Sequence, residues 1–136
     1  MREKIALLLL LIATSILAVK VPSVASADTT TLSVDPPIVS KNVGESLFVN
    51  ITVSNVLRLY SWQVNMTFNP AVLQFVNVTE GDFLRGQPEG TWTVPPAVNN
   101  TKGYAMFEWL TQGDYIGVTG SGWLGRAEFS VIATGE

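Results

Sequence analysis

The sequence predicts an all-β fold, an antiparallel sandwich, and three observations carry that prediction. Apolar and polar residues alternate with period two over residues 47–54 and 61–68, the repeat of a strand with one buried face. Beyond residue 27 no apolar stripe recurs at helical spacing. Turn-forming Gly, Pro and Asn residues return at short intervals, which suits about seven short strands in one small domain.

Taken in order, the chain opens on Arg2 and Lys4, an apolar run over residues 5–19, and the small residues Ala25-Ser26-Ala27. This is the pattern of a secretory signal peptide spanning residues 1–27, and the apolar run is short for a bilayer span. The domain then occupies residues 28–136, secreted to the exterior or the cell surface, with no membrane insertion after cleavage. Thr30 to Val34 reads as a first strand, stopped by Pro36-Pro37, which cannot donate to a ladder. Residues 41–45 make a turn, and in the following strand Leu47, Val49, Ile51 and Val53 share the buried face.

The next strand, LYSWQVNMTF, sets Trp62, Val64, Met66 and Phe68 against Ser61, Gln63, Asn65 and Thr67. It ends at Asn69-Pro70, after which Ala71-Val72-Leu73 suits a single helical turn. Gln74 to Thr79 resumes extended structure, with either a bulge near Phe75-Val76 or burial on both faces. Residues 80–90 read as a loop, and Trp92 to Val94 as a brief strand ended by Pro95-Pro96. GYAMFEWL (103–110) is a strand, residues 113–122 are a flexible connection, and Trp123 to Ile132 form a last long strand.

Composition narrows the function. The 109 residues after the signal suffice for one domain that hides roughly 65% of its unfolded surface. They carry five Lys or Arg against ten Asp or Glu, net −5, which argues against nucleic acid or an anionic membrane as partner. There is no cysteine and no histidine, so Ser-His and Cys-His nucleophile pairs, zinc sites and haem attachment are excluded. Glu80 with Asp82, or Glu108 with Asp114, are the only carboxylate pairs worth weighing for glycoside hydrolysis, and such surface pairs are ordinarily solvated charge. No catalytic residue is assigned. No D-x-D-x-D-G loop is present, so no metal or other cofactor is expected.

The ordered set VGES, an alternating strand, LYSWQVNMTFNPAVLQFVNVTEGDFL, GYAMFEWL and GSGWLGRAEFSV resembles the cohesin domain over about residues 31–132. Its most specific piece is Phe68-Asn69-Pro70-Ala71-Val72-Leu73. The resemblance implies a secreted jelly-roll or immunoglobulin-like sandwich, related in fold to carbohydrate-binding modules, that binds a dockerin module and tethers extracellular proteins or polysaccharide-degrading enzymes. Calcium, where needed, would be held by the dockerin. The family sandwich closes with one more strand after the position of Ile132, so the resemblance implies that this chain lacks its C-terminal strand. A chain ending at Glu136 is then expected to melt lower, or to associate more, than one extended by its natural sequence. Equal melting and a clean monomer would contradict that.

By position, the family's docking face maps onto Ser61, Gln63 and Asn65, with Met106, Glu108 and Leu110, and extends to Arg126 and Glu128 on the last strand. With Ala105, Phe107 and Trp109 inward, Met106 and Leu110 are left outside around Glu108. The simpler reading is that the neutral residues of 61–67 are just the solvated face of an antiparallel strand. One departure from the family stands out: familiar bacterial cohesins carry an Asn and an acidic residue where this chain has Ser61 and Gln63.

Two further sets remain. Asn-x-Ser/Thr occurs at Asn50, Asn65, Asn77 and Asn99, four of the eight asparagines, which marks candidate glycan acceptors in a secreted chain. A glycan on Asn65 would cover the docking face. The alternative function, polysaccharide binding, needs exposed rings; Trp62 and Trp109 are assigned to the core, leaving Trp92 and Tyr115 as stacking platforms.

Overall fold

A computed structural model describes residues 28–113 and 117–135. The signal-peptide reading of residues 1–27 and the platform at Tyr115 fall outside them. The strands are β1 (Thr31–Asp35), β2 (Ser46–Leu59), β3 (Ser61–Thr67), β4 (Leu73–Glu80), β5 (Thr91–Asn99), β6 (Tyr104–Thr111) and β7 (Val118–Val131). A short helix, α1 (Asp82–Arg85), lies between β4 and β5. All pairings are antiparallel and form two sheets, β1-β2-β7-β4 and β3-β6-β5. The expected β-sandwich is what the chain forms.

The chain leaves one sheet for the other at Tyr60, between β2 and β3. Two residues just before it, Asn55 and Arg58, hold positive φ of 55° and 56° where β2 slips register against β7. The slips free backbone donors, and β7 hydroxyls take them: Asn55 N–H donates to Ser121 Oγ and Arg58 N–H to Thr119 Oγ1, both at 3.0 Å.

After β3, Asn69 starts the single turn expected at Ala71–Leu73. Its side-chain Oδ1 accepts from Ala71 N–H at 3.0 Å and its carbonyl accepts from the Val72 and Leu73 amides. The bulge expected near Phe75-Val76 is present as a register shift between Phe75 and Asn77, so Val76 points outward. The amide of Asn100 completes it: Phe75 N–H donates to Oδ1 at 2.8 Å, and Nδ2 donates back to Phe75 O at 3.1 Å.

Three sequence expectations change. Residues 113–122 are not all connection, because the last strand starts at Val118 rather than Trp123 and pairs with β2 from there. Residues 80–90 are not wholly loop, since residues 82–85 make one helical turn that buries Leu84. And β5 does not stop at its prolines. It runs on to Asn99, with Pro95 and Pro96 absorbed in a register shift between Val94 and Ala97. As the edge of its sheet β5 needs no donor on its outer side, which is why prolines are tolerated there.

The core is aromatic. Trp62 stacks on Trp109 with ring centroids 5.1 Å apart, and Phe107 meets both edge-on at 6.0 and 6.1 Å. From the other sheet Phe75 reaches Phe107 at 6.3 Å and Phe129 at 5.5 Å, so the rings join the two layers. The assignment of Trp62 and Trp109 to the interior holds. Small residues make room for them: Ala105 and Ala127 are fully buried, and a Cβ on Gly125 would meet the Trp62 indole at 2.9 Å.

Gly103 sets where β6 begins. Its φ is +68°, its carbonyl accepts from Phe68 N–H at 2.9 Å, and a Cβ there would collide with the Phe68 carbonyl oxygen. Gly103→Ala is therefore expected to cost about 2–4 kcal/mol, through left-handed strain added to the clash. Urea unfolding checks this; a loss under about 1 kcal/mol would show that the β3 end yields easily.

Candidate binding face on the three-stranded sheet

Register decides which side chains share a face. In β3 and β6, Ser61 lies opposite Leu110, Gln63 opposite Glu108 and Asn65 opposite Met106. These six residues, named from the sequence on separate strands, therefore form three adjacent pairs on one outer face. Their inward neighbours Trp62, Phe107, Trp109 and Ala105 are buried, which fixes the six to the outside.

β5 extends each row. Trp92 lies opposite Leu110, Val94 opposite Glu108 and Ala97 opposite Met106, and a fourth row reads Asn99, Tyr104, Thr67. The face is thus four rows of three residues, with Glu108 its single charged side chain. Trp92 is 56% exposed at one corner. At the opposite end the Tyr104 hydroxyl donates to Asn65 Oδ1 at 3.4 Å. Sequence reasoning missed Val94, Ala97 and Tyr104, and treated Trp92 as a separate platform. The signal that would have found them is the alternation of Trp92 and Val94, resumed after the prolines at Ala97 and Asn99.

Arg126 and Glu128 do not belong to this face, which corrects their grouping with it. β7 lies in the four-stranded sheet, and both residues look out from the far side of the sandwich. There the Arg126 guanidinium rests between Phe48 and Trp123, 5.7 and 5.4 Å from the ring centroids, and its Nε donates to Asn50 Oδ1 at 2.8 Å. Glu128 accepts from Ser46 Oγ at 2.9 Å.

The four asparagine motifs divide the same way. Asn65 and Asn99 sit on the face of the smaller sheet, whereas Asn50 and Asn77 sit on the outer face of the larger one. Among the described residues no three Asp or Glu side chains cluster closely enough to hold a metal ion. A cleft of about 530 Å³ lies at the end of the sandwich, between Val39–Leu47, Asn69–Leu73 and the residues after Val131, away from this face.

The shifted carboxyl among the described groups is Glu45 in the 42–45 turn. Asn42 N–H donates to its Oε2 at 2.8 Å and holds the carboxyl below the usual glutamate range. A depressed folded-state value stabilises the turn above the unfolded pKa, and that contribution is lost as pH falls through the folded one. The group is fully exposed, so the effect is local to the turn and far from the binding face.

The outer face of β3-β6-β5 thus carries neutral hydrogen-bonding groups, the large apolar side chains Trp92, Met106 and Leu110, and one charge, on a β-sandwich module. Comparison with known proteins gives the family. The cohesin domain family matches residues 30–136, and this chain belongs to it. Cohesin domains are non-catalytic protein-binding modules, and the chain is accordingly no enzyme.

Similar solved structures include the second type II cohesin module of the adaptor ScaA scaffoldin of Acetivibrio cellulolyticus, at TM-score 0.66 and 19% identity over 78% of this chain and 66% of that one. A type II cohesin domain from the cellulosome of the same organism matches at TM-score 0.66 and 22% identity, over 76% and 69%. A type I cohesin in the Coh-OlpA–Doc918 cohesin–dockerin complex of Clostridium thermocellum matches at TM-score 0.64 and 12% identity, over 80% and 76%. This chain spans about two thirds of the length of the first of these. A search of curated proteins finds no matching sequence.

Proposed function

We propose that this cohesin domain binds a dockerin-type module through the outer face of β3-β6-β5, and so tethers extracellular proteins or polysaccharide-degrading enzymes at the cell exterior. The observation that carries the reading is the register: residues picked from two strands fall opposite one another and join Trp92 in one partly apolar face whose one charge is Glu108. Apolar groups rimmed by hydrogen-bonding side chains supply affinity and register together. The neutral Ser61 and Gln63 favour a partner that docks by packing and neutral hydrogen bonds.

Capture from the secreted and surface fraction of the organism of origin, with calcium and again with chelator, tests this. Recovery of a dockerin-bearing protein only with calcium supports the reading; recovery of no protein module contradicts it. In this reading any calcium dependence lies with the dockerin, which would hold the ion. Glycans at Asn50 and Asn77 would leave the face clear, whereas glycans at Asn65 or Asn99 would cover it.

One observation favours a second reading, polysaccharide binding: the exposed Trp92 ring at one corner of the face. A Trp92 fluorescence shift on addition of oligosaccharide would support it, and an unchanged spectrum would remove it.

A further inference from the structure

The four Asn-x-Thr sites differ in what surrounds them. A pyranose ring carries C–H bonds on its faces that pack against an aromatic ring, while its hydroxyls take hydrogen bonds at the edge. A glycan on a strand is therefore held best where an exposed ring stands two residues from the acceptor on the same face, about 6.6 Å away. Asn50 has that ring. Phe48 precedes it by two on the outer face of β2 and is 44% exposed, and Thr52 of the same motif follows it by two. At Asn65 and Asn99 the residues two before are Gln63 and Ala97. At Asn77 it is Phe75, but the register shift between them turns Phe75 into the core, where it packs on Phe107 and Phe129.

Cross-strand neighbours complete the seat. Asn50 lies opposite Arg126, Phe48 opposite Glu128 and Thr52 opposite Trp123. Arg126 Nε donates to Asn50 Oδ1 at 2.8 Å. A guanidinium can be met only by the oxygen of an amide, so this bond turns Oδ1 toward β7 and leaves Nδ2, the atom that carries a glycan, on the other arm. The same guanidinium rests against both Phe48 and Trp123, which joins two rings, a cation and the asparagine in one patch. For sugar hydroxyls laid across it, Arg126 supplies N–H donors and Glu128 supplies carboxylate acceptors.

We propose that Asn50 carries an N-linked glycan whose first sugar seats on Phe48, beside Arg126. The donor is a lipid-pyrophosphate-linked oligosaccharide. Transfer forms a bond from Asn50 Nδ2 to the anomeric carbon, breaks that carbon's bond to the pyrophosphate oxygen, and releases one amide proton, with nothing oxidised or reduced. Seated in this way, the glycan lies over the outer face of β1-β2-β7-β4 and leaves the outer face of β3-β6-β5 clear. The inference rests on secretion through a glycosylating route and is independent of which partner the other face takes.

The test uses the full chain secreted from a host that glycosylates Asn-x-Thr sites. Peptide mass spectrometry of the secreted protein should find Asn50 occupied in most molecules. A double-mutant cycle then reads the seat, since Asn50→Gln removes the acceptor yet keeps an amide oxygen for Arg126. With Phe48 present, Asn50→Gln should lower the melting temperature by about 3 °C or more, the scale of one aromatic contact. In the Phe48→Ala background it should lower it by less than half as much. In NMR spectra of the glycosylated protein the C–H protons of the first sugar should shift upfield under the Phe48 ring, and return to their ordinary positions in Phe48→Ala. A bare Asn50 in the secreted protein overturns the proposal. So does an occupied Asn50 whose loss costs the same in both backgrounds, since the sugar then makes no contact with Phe48.

Discussion

Phe107→Ala is expected to lower the stability of the domain by about 3–5 kcal/mol, the range for removing a fully buried phenylalanine. Phe107 is 1% exposed and stands where the two sheets meet, edge-on to Trp62 and Trp109 and stacked with Phe75. Its inward neighbours on β6, Ala105 and Trp109, are too short and too rigid respectively to close over the gap. A domain of this size holds only about 5–15 kcal/mol in all, so the variant should melt roughly 15 °C lower or more. Phe48→Ala, on the outer face of the other sheet, should cost about 1 kcal/mol or less. Equal losses at the two positions would mean that the aromatic cluster is not what holds the layers together.

Leu110→Lys is expected to weaken dockerin binding about 100-fold or more while leaving the fold unchanged. Leu110 lies between Trp92 and Ser61 in the first row of the face, so a lysine there would replace apolar packing under the partner with a charge that must be desolvated on binding. Gln63→Glu should act similarly, because it sets a second carboxylate directly opposite Glu108. Arg126→Ala and Glu128→Ala should bind as the parent does, since both look out from the other sheet. Titration of each variant against a captured dockerin module decides this. Loss of binding in the Arg126 or Glu128 variant, with Leu110→Lys unaffected, would move the site to the four-stranded sheet.

What the sequence made legible was set by period-two alternation. It assigned Trp62, Phe107 and Trp109 to the core and left Gln63, Met106 and Leu110 outside, because a strand buried on one face must write that face into its sequence. Alternation says which face of its own sheet a residue occupies, but not to which sheet the strand belongs. Alternation therefore could not check the family mapping that joined Arg126 and Glu128 to a face on the far side of the sandwich. The prolines at 95 and 96 concealed half of β5, since their meaning reverses at an edge, where a missing donor costs nothing. The turn at Asp82–Arg85 is too short for any period to register.

The measurement that tests the central claim most directly is oxidative footprinting of the domain free and bound to its captured dockerin partner. Met106, Trp92 and Tyr104 report the proposed face, while Phe48 and Trp123 on the other sheet serve as internal controls. Binding through β3-β6-β5 should slow oxidation of the first three severalfold and leave Phe48 and Trp123 unchanged. Protection of Phe48 and Trp123 with Met106 and Trp92 still reactive would contradict the assignment.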